Sequence, residues 1–178
     1  MNTVESLIAN NFDMKGETIG PVFCDALKGF YGTANVACQG IDNPPYTAGI
    51  LDNFNGLGTS EAAINEAIRM FNLAYSKCPK TIVIASGYSQ GAAVMHASIK
   101  TLSITLQNQI GAAVMFGDVR NTQDNGQIPN FPKSKTKIYC APLDLVCLGT
   151  DLLTPTHLVY TSYSGQALDF VKSLVTKK

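Results

Sequence analysis

Apolar and polar positions along the chain change their spacing, and each change marks an element. Residues 20–31 (GPVFCDALKGFY) predict a helix, with Pro21 near its start and Gly32 past its end. Residues 35–41 (NVACQGI) predict a short strand that runs into a loop rich in Pro44, Pro45 and Gly49. Thr59 or Ser60 caps a long helix whose apolar side is Ala63, Ile64, Ala67, Ile68, Phe71 and Leu73. Ala63 occupies the position where a complete capping box would carry Glu or Gln. Cys78-Pro79 stops this helix, and residues 81–86 (TIVIAS) form the nearly continuous apolar run of a strand covered on both faces. A helix over 90 to about 106, strands over 111–117 (GAAVMFG) and 136–140 (TKIYC), and a last helix over about 166–175 complete the pattern. Strands alternating with helices predict an α/β fold with a mostly parallel sheet, whose ligand sites lie beyond the carboxyl ends of the strands.

Composition narrows the class. The 178 residues suit one domain over 1–178, and 46% hydrophobic with 15% charged residues excludes a disordered chain. Thirteen basic and thirteen acidic residues give zero formal charge, with no basic stripe for nucleic acid. No apolar run of about 18 residues predicts a membrane span. Five cysteines favour an oxidising compartment, while residues 1–20 lack the basic and apolar regions of a signal peptide and contain Glu5, Asp13 and Glu17.

The most informative local motif is Gly87-Tyr88-Ser89-Gln90-Gly91, a G-x-S-x-G sequence between the apolar strand and the helix at 90. Gly87 and Gly91 let strand and helix meet at a sharp turn that presents the Ser89 hydroxyl. The Gln90 N–H, at a helix N-terminus, can donate to a developing oxyanion. A glycine-rich turn without chemistry has a similar composition, and a phosphate loop would need a Lys or a G-x-G-x-x-G pattern that is absent. A serine nucleophile needs a base, and the chain has two histidines. His96 lies about 10 Å down the helix that Ser89 starts, which makes it a helix-face residue. His157 follows Pro155 in an irregular segment after the last strand, and the order Ser, Asp, His fits this hydrolase class. Asp118, Asp124, Asp144 and Asp151 are the intervening acids. Asp124 reads as a turn former and Asp151 as a local cap. Asp118 and Asp144 both follow strands directly and compete for the role. Asp144 also lies between Cys140 and Cys147, where a bridge would tie down its loop and contribute roughly 2–3 kcal/mol.

With these residues in place, the chain resembles the cutinase family of α/β-hydrolases from about Gly16 to its C-terminus. The resemblance rests on GETIGPVFCDAL, VACQGID, LDNFNGLGTSEAA, CPKTIVIASGYSQGAAV, FGDVRN, IPNFPKSKTKIYC and DLVC followed by HLVY. The spacing of 55 residues from Ser89 to Asp144 and 13 more to His157 is similar as well. It implies a three-layer sandwich and a secreted, monomeric serine esterase that cleaves cutin-like polyesters and short-chain esters, without metal or organic cofactor. Carried over by position, Ser89 is nucleophile, His157 base and then acid, and Asp144, preferred over Asp118, the orienting carboxylate. Gln90 supplies an oxyanion N–H, and Asn53 supports a second donor. Ile50, Tyr88, Leu145, Leu152, Leu153 and Leu158 would contact the substrate in a shallow, exposed groove.

One stretch departs from the family. Members open with a strand and an R-G-[ST]-E-x-G-N-x-G loop whose Ser or Thr gives the second oxyanion donor. Here the stretch is IANNFDMKG, of which only Gly16 fits, and the cysteine that usually pairs with Cys78 is absent. Residues 1–15 are therefore expected to be atypical, with Val4, Leu7 and Ile8 the only clustered apolar candidates. A four-stranded sheet with a gap beside the nucleophile strand follows, as from a truncated N-terminus. The rival to an active esterase is accordingly a degenerate member with an incomplete oxyanion hole. A flavodoxin-like binding module, with phosphate or flavin at residues 87–91, is the third reading.

Overall fold

The computed structural model describes residues 4–9, 19–41, 46 and 49–176. Its centre is a five-stranded sheet in the order β2-β1-β3-β4-β5, with every neighbouring pair parallel. The strands are β1 (Val4–Ala9), β2 (Val36–Gly40), β3 (Ile82–Tyr88), β4 (Ile110–Phe116) and β5 (Thr136–Tyr139). The helices are α1 (Ile19–Tyr31), α2 (Glu61–Lys77), α3 (Gln90–Ile99), α4 (Ile104–Gln109) and α5 (Ser164–Leu174).

Period-two alternation in the central strands feeds two cores. Val83 and Ala85 of β3, with Ala113 and Met115 of β4, pack against Ala67 and Phe71 of α2 and Ala92 and Met95 of α3. Ile84 and Tyr88, with Ala112, Val114 and Phe116, face the other way onto Phe23 and Leu27 of α1 and Ala167 and Val171 of α5. Both strands are apolar on both sides because both sides are covered, which is why their sequences read as continuous apolar runs.

The expected gap beside β3 is corrected: β1 fills it. Val4 lies opposite Val36 of β2 and Ile82 of β3, and pairing continues to Ala9 opposite Gly87. Two flanking strand edges, each with N–H and C=O groups that need partners, recruit this segment through its main chain. Side-chain period in VESLIA is too weak to announce a strand on its own. With β1 in place, β2 and β3 have no unpaired edge between them. The rest of the atypical stretch 1–15, with residues 16–18 and most of the Pro44-Pro45 loop, lies outside the described residues.

The helix expected over 90–106 is also corrected, because it ends at Ile99 and α4 starts at Ile104. Thr101 Oγ1 donates to the Ser98 carbonyl at 2.8 Å, and the Ser103 hydroxyl accepts from Leu106 N–H. Hydroxyl side chains that compete for main-chain groups stop one helix and cap the next. Elsewhere the expected elements hold within two residues, and Ser60 caps α2 by accepting from Ala63 N–H at 3.2 Å.

Candidate active site

The carboxyl ends of β3, β4 and β5 meet three irregular segments, 49–59, 117–131 and 140–163. Ser89 stands between β3 and α3 at φ 55° and ψ −123°, a backbone conformation that only tight packing sustains. Its N–H donates to the Phe116 carbonyl at 2.9 Å, which fixes the turn to β4. A Cβ at Gly87 would stand 2.4 Å from the Gly91 carbonyl oxygen, so the strand and helix approach closely only with glycine there.

A hydrogen-bonded chain leaves Ser89. Its Oγ lies 2.9 Å from His157 Nε2, and His157 Nδ1 lies 2.9 Å from Asp144 Oδ2. The tautomer with its proton on Nδ1 satisfies both contacts: Nδ1–H donates to the carboxylate, and Nε2 accepts from the serine hydroxyl. His157 and Asp144 are buried, whereas Ser89 is partly exposed. Asp144 accepts from Val146 N–H at 3.1 Å on Oδ1 and from the Tyr160 hydroxyl on Oδ2. Its loop is closed by the Cys140–Cys147 disulfide, with Cα atoms 5.9 Å apart. Asn121 Nδ2 and Thr122 Oγ1 both donate to the Cys147 carbonyl at 3.1 Å and brace the loop from the β4 side. Gly117 ends β4 at φ 53°, and a Cβ there would come within 2.7 Å of His157 Cε1 and 2.8 Å of the Tyr160 ring. Nothing in the local sequence signals that requirement.

Gln90 opens α3, so its N–H is among the helix's first-turn donors without an intrahelical acceptor. Its side-chain Nε2 donates to Asn53 Oδ1 at 2.6 Å and to the Gly49 carbonyl at 2.9 Å. The two residues singled out for an oxyanion pocket are therefore bonded to each other.

The expected substrate-contact residues divide. Leu152, Leu153 and Leu158 are exposed, Leu158 by 74%, and Leu145 is half-buried. The Ile50 side chain lies outside the described residues. Tyr88, expected to contact substrate, is buried; it stacks on the His157 ring at 5.1 Å and donates its hydroxyl to the His157 carbonyl at 2.7 Å, so it supports the ring. Burial and the nearby Asp144 push its phenol up to about 12. Sequence reasoning missed Leu143, 78% exposed beside Asp144, and Leu51 and Phe54, both exposed beside Asn53. The available signal was large apolar residues close in sequence to Asn53 and Asp144.

Asp118, the competing acid, belongs to the other histidine. His96 Nε2 lies 2.9 Å from Asp118 Oδ2, and His96 Nδ1 2.7 Å from Asp124 Oδ2. The first contact is off line for a hydrogen bond and acts as an ion pair. Arg120 pairs with Asp124 at 3.0 Å and donates to the Gly56 carbonyl at 2.9 Å. Burial alone would lower the His96 pKa, but Asp118 and Asp124 outweigh it and lift it to about 9. Burial raises Asp124, yet hydrogen bonds from His96 and Arg120 bring it down to about 2. Asp124 is thus an ion-pair partner as well as a turn residue. The remaining cysteines resolve into a Cys24–Cys38 bridge, with Cα atoms 6.3 Å apart, and a free Cys78.

A family model described as Cutinase matches residues 9–175. "Probable cutinase 5" of Aspergillus terreus is 45% identical over 161 residues, which cover 90% of this chain and 73% of that protein. "Cutinase" of Colletotrichum truncatum is 49% identical over 146 residues, covering 82% and 64%. Among solved structures, a Trichoderma reesei cutinase in complex with a C11Y4 phosphonate inhibitor superposes with a TM-score of 0.83 at 29% identity, covering 97% of this chain and 76% of that one. An acetylxylan esterase, 22% identical with a TM-score of 0.75, shares the α/β fold.

Proposed function

Because this chain belongs to the cutinase family of serine esterases, we propose that Ser89, His157 and Asp144 hydrolyse carboxylic esters through an acyl-enzyme. The observation that carries the reading is His157 held between Ser89 Oγ and Asp144 Oδ2, at 2.9 Å on each side. In the first half-reaction the Ser89 oxygen adds to the ester carbonyl carbon while its proton passes to His157 Nε2. Gln90 N–H, at the α3 N-terminus, donates to the oxyanion. The tetrahedral adduct collapses, the C–O bond to the alcohol breaks, and Nε2–H protonates the departing oxygen. Water then repeats the sequence on the acyl-serine, giving its proton to His157 and releasing the acid and free Ser89. Asp144 keeps the imidazole in the required tautomer and stabilises its charged form.

The substrates proposed are cutin-like polyesters and short-chain esters. The exposed Leu152, Leu153 and Leu158, with Leu143 beside Asp144, support an open apolar surface for acyl chains. Two disulfides support an extracellular site of action for a single-domain monomer. A degenerate esterase with one oxyanion donor is the second reading, favoured by IANNFDMKG in place of the family's Arg-Gly-Ser/Thr loop. A fluorophosphonate probe and a short-chain p-nitrophenyl ester test both. Labelling and turnover that vanish in Ser89→Ala support the first reading. Labelling that survives the substitution overturns it. Ser89-dependent labelling without ester turnover favours the second.

A further inference from the structure

Asp144 has more partners than a carboxylate that only orients a histidine requires. Oδ1 takes the Val146 N–H, and Oδ2 is shared between His157 Nδ1–H and the Tyr160 hydroxyl. The direction of the tyrosine contact is fixed by its other partner. Ala141 N–H donates to the Tyr160 oxygen at 2.8 Å, so the phenolic hydrogen is free to point at Asp144. The ring is almost wholly buried and held by Tyr163, Tyr88 and Phe116 at centroid distances of 5.5, 5.8 and 6.3 Å. Burial first, and then the bond to Asp144, push the phenol pKa upward, so it remains a donor through the working range of an esterase.

We propose that Tyr160 is a positioning residue that weakens the basicity of Asp144 and thereby sets the pH at which His157 becomes a base. A hydrogen bond to the ionised carboxylate spreads its charge and favours the ionised form. The same bond reduces the charge density left for His157 Nδ1–H, so the imidazolium gains less from its partner and loses its proton at lower pH. Tyr88 is the other ionisable neighbour of the ring. It stacks on His157 with its hydroxyl on the main-chain carbonyl, not on the carboxylate, so it supports the ring without touching Asp144. Phenylalanine at 160 would pack the same cavity, so the hydroxyl is what distinguishes this role from packing.

This inference rests on the proposed roles of Ser89, His157 and Asp144. Its test is the acid limb of kcat/KM against pH, together with the NMR titration of the His157 Cε1 proton. In Tyr160→Phe both should move to higher pH by roughly half a unit to one unit. Site-specific replacement of Tyr160 by 3-fluorotyrosine makes the phenol a stronger donor and should move both to lower pH. Opposite shifts support the proposal. Unchanged titration in Tyr160→Phe, or an upward shift with fluorotyrosine, overturns it. Should Tyr160→Phe fail to fold, the fluorotyrosine protein decides alone. The titration is repeated in Ser89→Ala, where it reports Tyr160 regardless of whether Ser89 is the nucleophile. Probe labelling that persists in Ser89→Ala would instead strike at the triad.

Discussion

His157 and His96 stand on opposite sides of a useful contrast. Each is a buried imidazole within 2.9 Å of a carboxylate, and each carboxylate follows a strand of the same sheet. They differ in what faces the second nitrogen. His96 has Asp118 on one nitrogen and Asp124 on the other, so both N–H groups are occupied by anions and its pKa is lifted to about 9. His157 has Asp144 on Nδ1 and a neutral, partly exposed hydroxyl on Nε2. Two anions hold a proton firmly, while one anion and one hydroxyl leave a nitrogen that can take a proton and return it. A histidine beside an aspartate is therefore not enough to mark a base, and the partner of the free nitrogen decides.

The largest expected effect exchanges the two acids. Asp144→Asn should lower turnover about 10,000-fold, because an amide beside Nδ1 favours the wrong tautomer. Asp118→Asn should leave turnover per folded molecule within a few-fold. Steady-state hydrolysis of a soluble ester by both variants reads this directly, and equal losses would erase the contrast. Next in size, His96→Leu should destabilise the fold by about 3–5 kcal/mol, since it leaves Asp118 buried without its cation. Urea unfolding monitors that loss, and turnover per folded molecule should remain near that of the parent.

The same cluster predicts a pH dependence with a definite sign. The folded pKa of His96 is raised above its unfolded value near 6.5. Its stabilisation is therefore complete below about pH 6.5 and lost as the pH rises through about 9. The loss reaches on the order of 3 kcal/mol, shared with the two carboxylates that cause it. Asp124 is depressed to about 2, so its contribution holds above about pH 4 and fades as the pH falls through 2. Unfolding midpoints from pH 6 to 10 should fall in the parent more than in His96→Gln, and parallel slopes would show that His96 carries no such charge. The smallest effect concerns the packing around the His157 ring. Gly117→Ala places a Cβ within 2.7 Å of the ring at φ 53°, and the displaced imidazole should cost about 100-fold in turnover. An alanine variant with normal activity would mean that the ring tolerates movement.

Much of this was legible in the chain because it is local. GYSQG between an apolar run and a helix carries its own geometry, since the glycines that allow the turn sit within two residues of Ser89. Cys140 and Cys147 are near enough in sequence to bridge without knowledge of the fold, and the continuous apolar runs of β3 and β4 mark strands covered on both faces. The order of Ser89, Asp144 and His157 narrowed the candidate site, although residue spacing alone left Asp118 in contention.

What the tertiary structure decided depends on residues far apart along the chain. It assigned Asp118 to His96 and Asp144 to His157, because the end of β4 packs against α3 while the disulfide loop reaches the segment at 155–158. It moved Tyr88 beneath His157 and brought Tyr160 onto Asp144, contacts that span 69 and 16 residues. It also placed β1 between β2 and β3, where six residues with little pattern of their own form a central strand. Local signals record what a segment prefers when alone. Main-chain groups at an open sheet edge, and a buried carboxylate that needs donors, take their partners from whatever part of the chain the fold delivers.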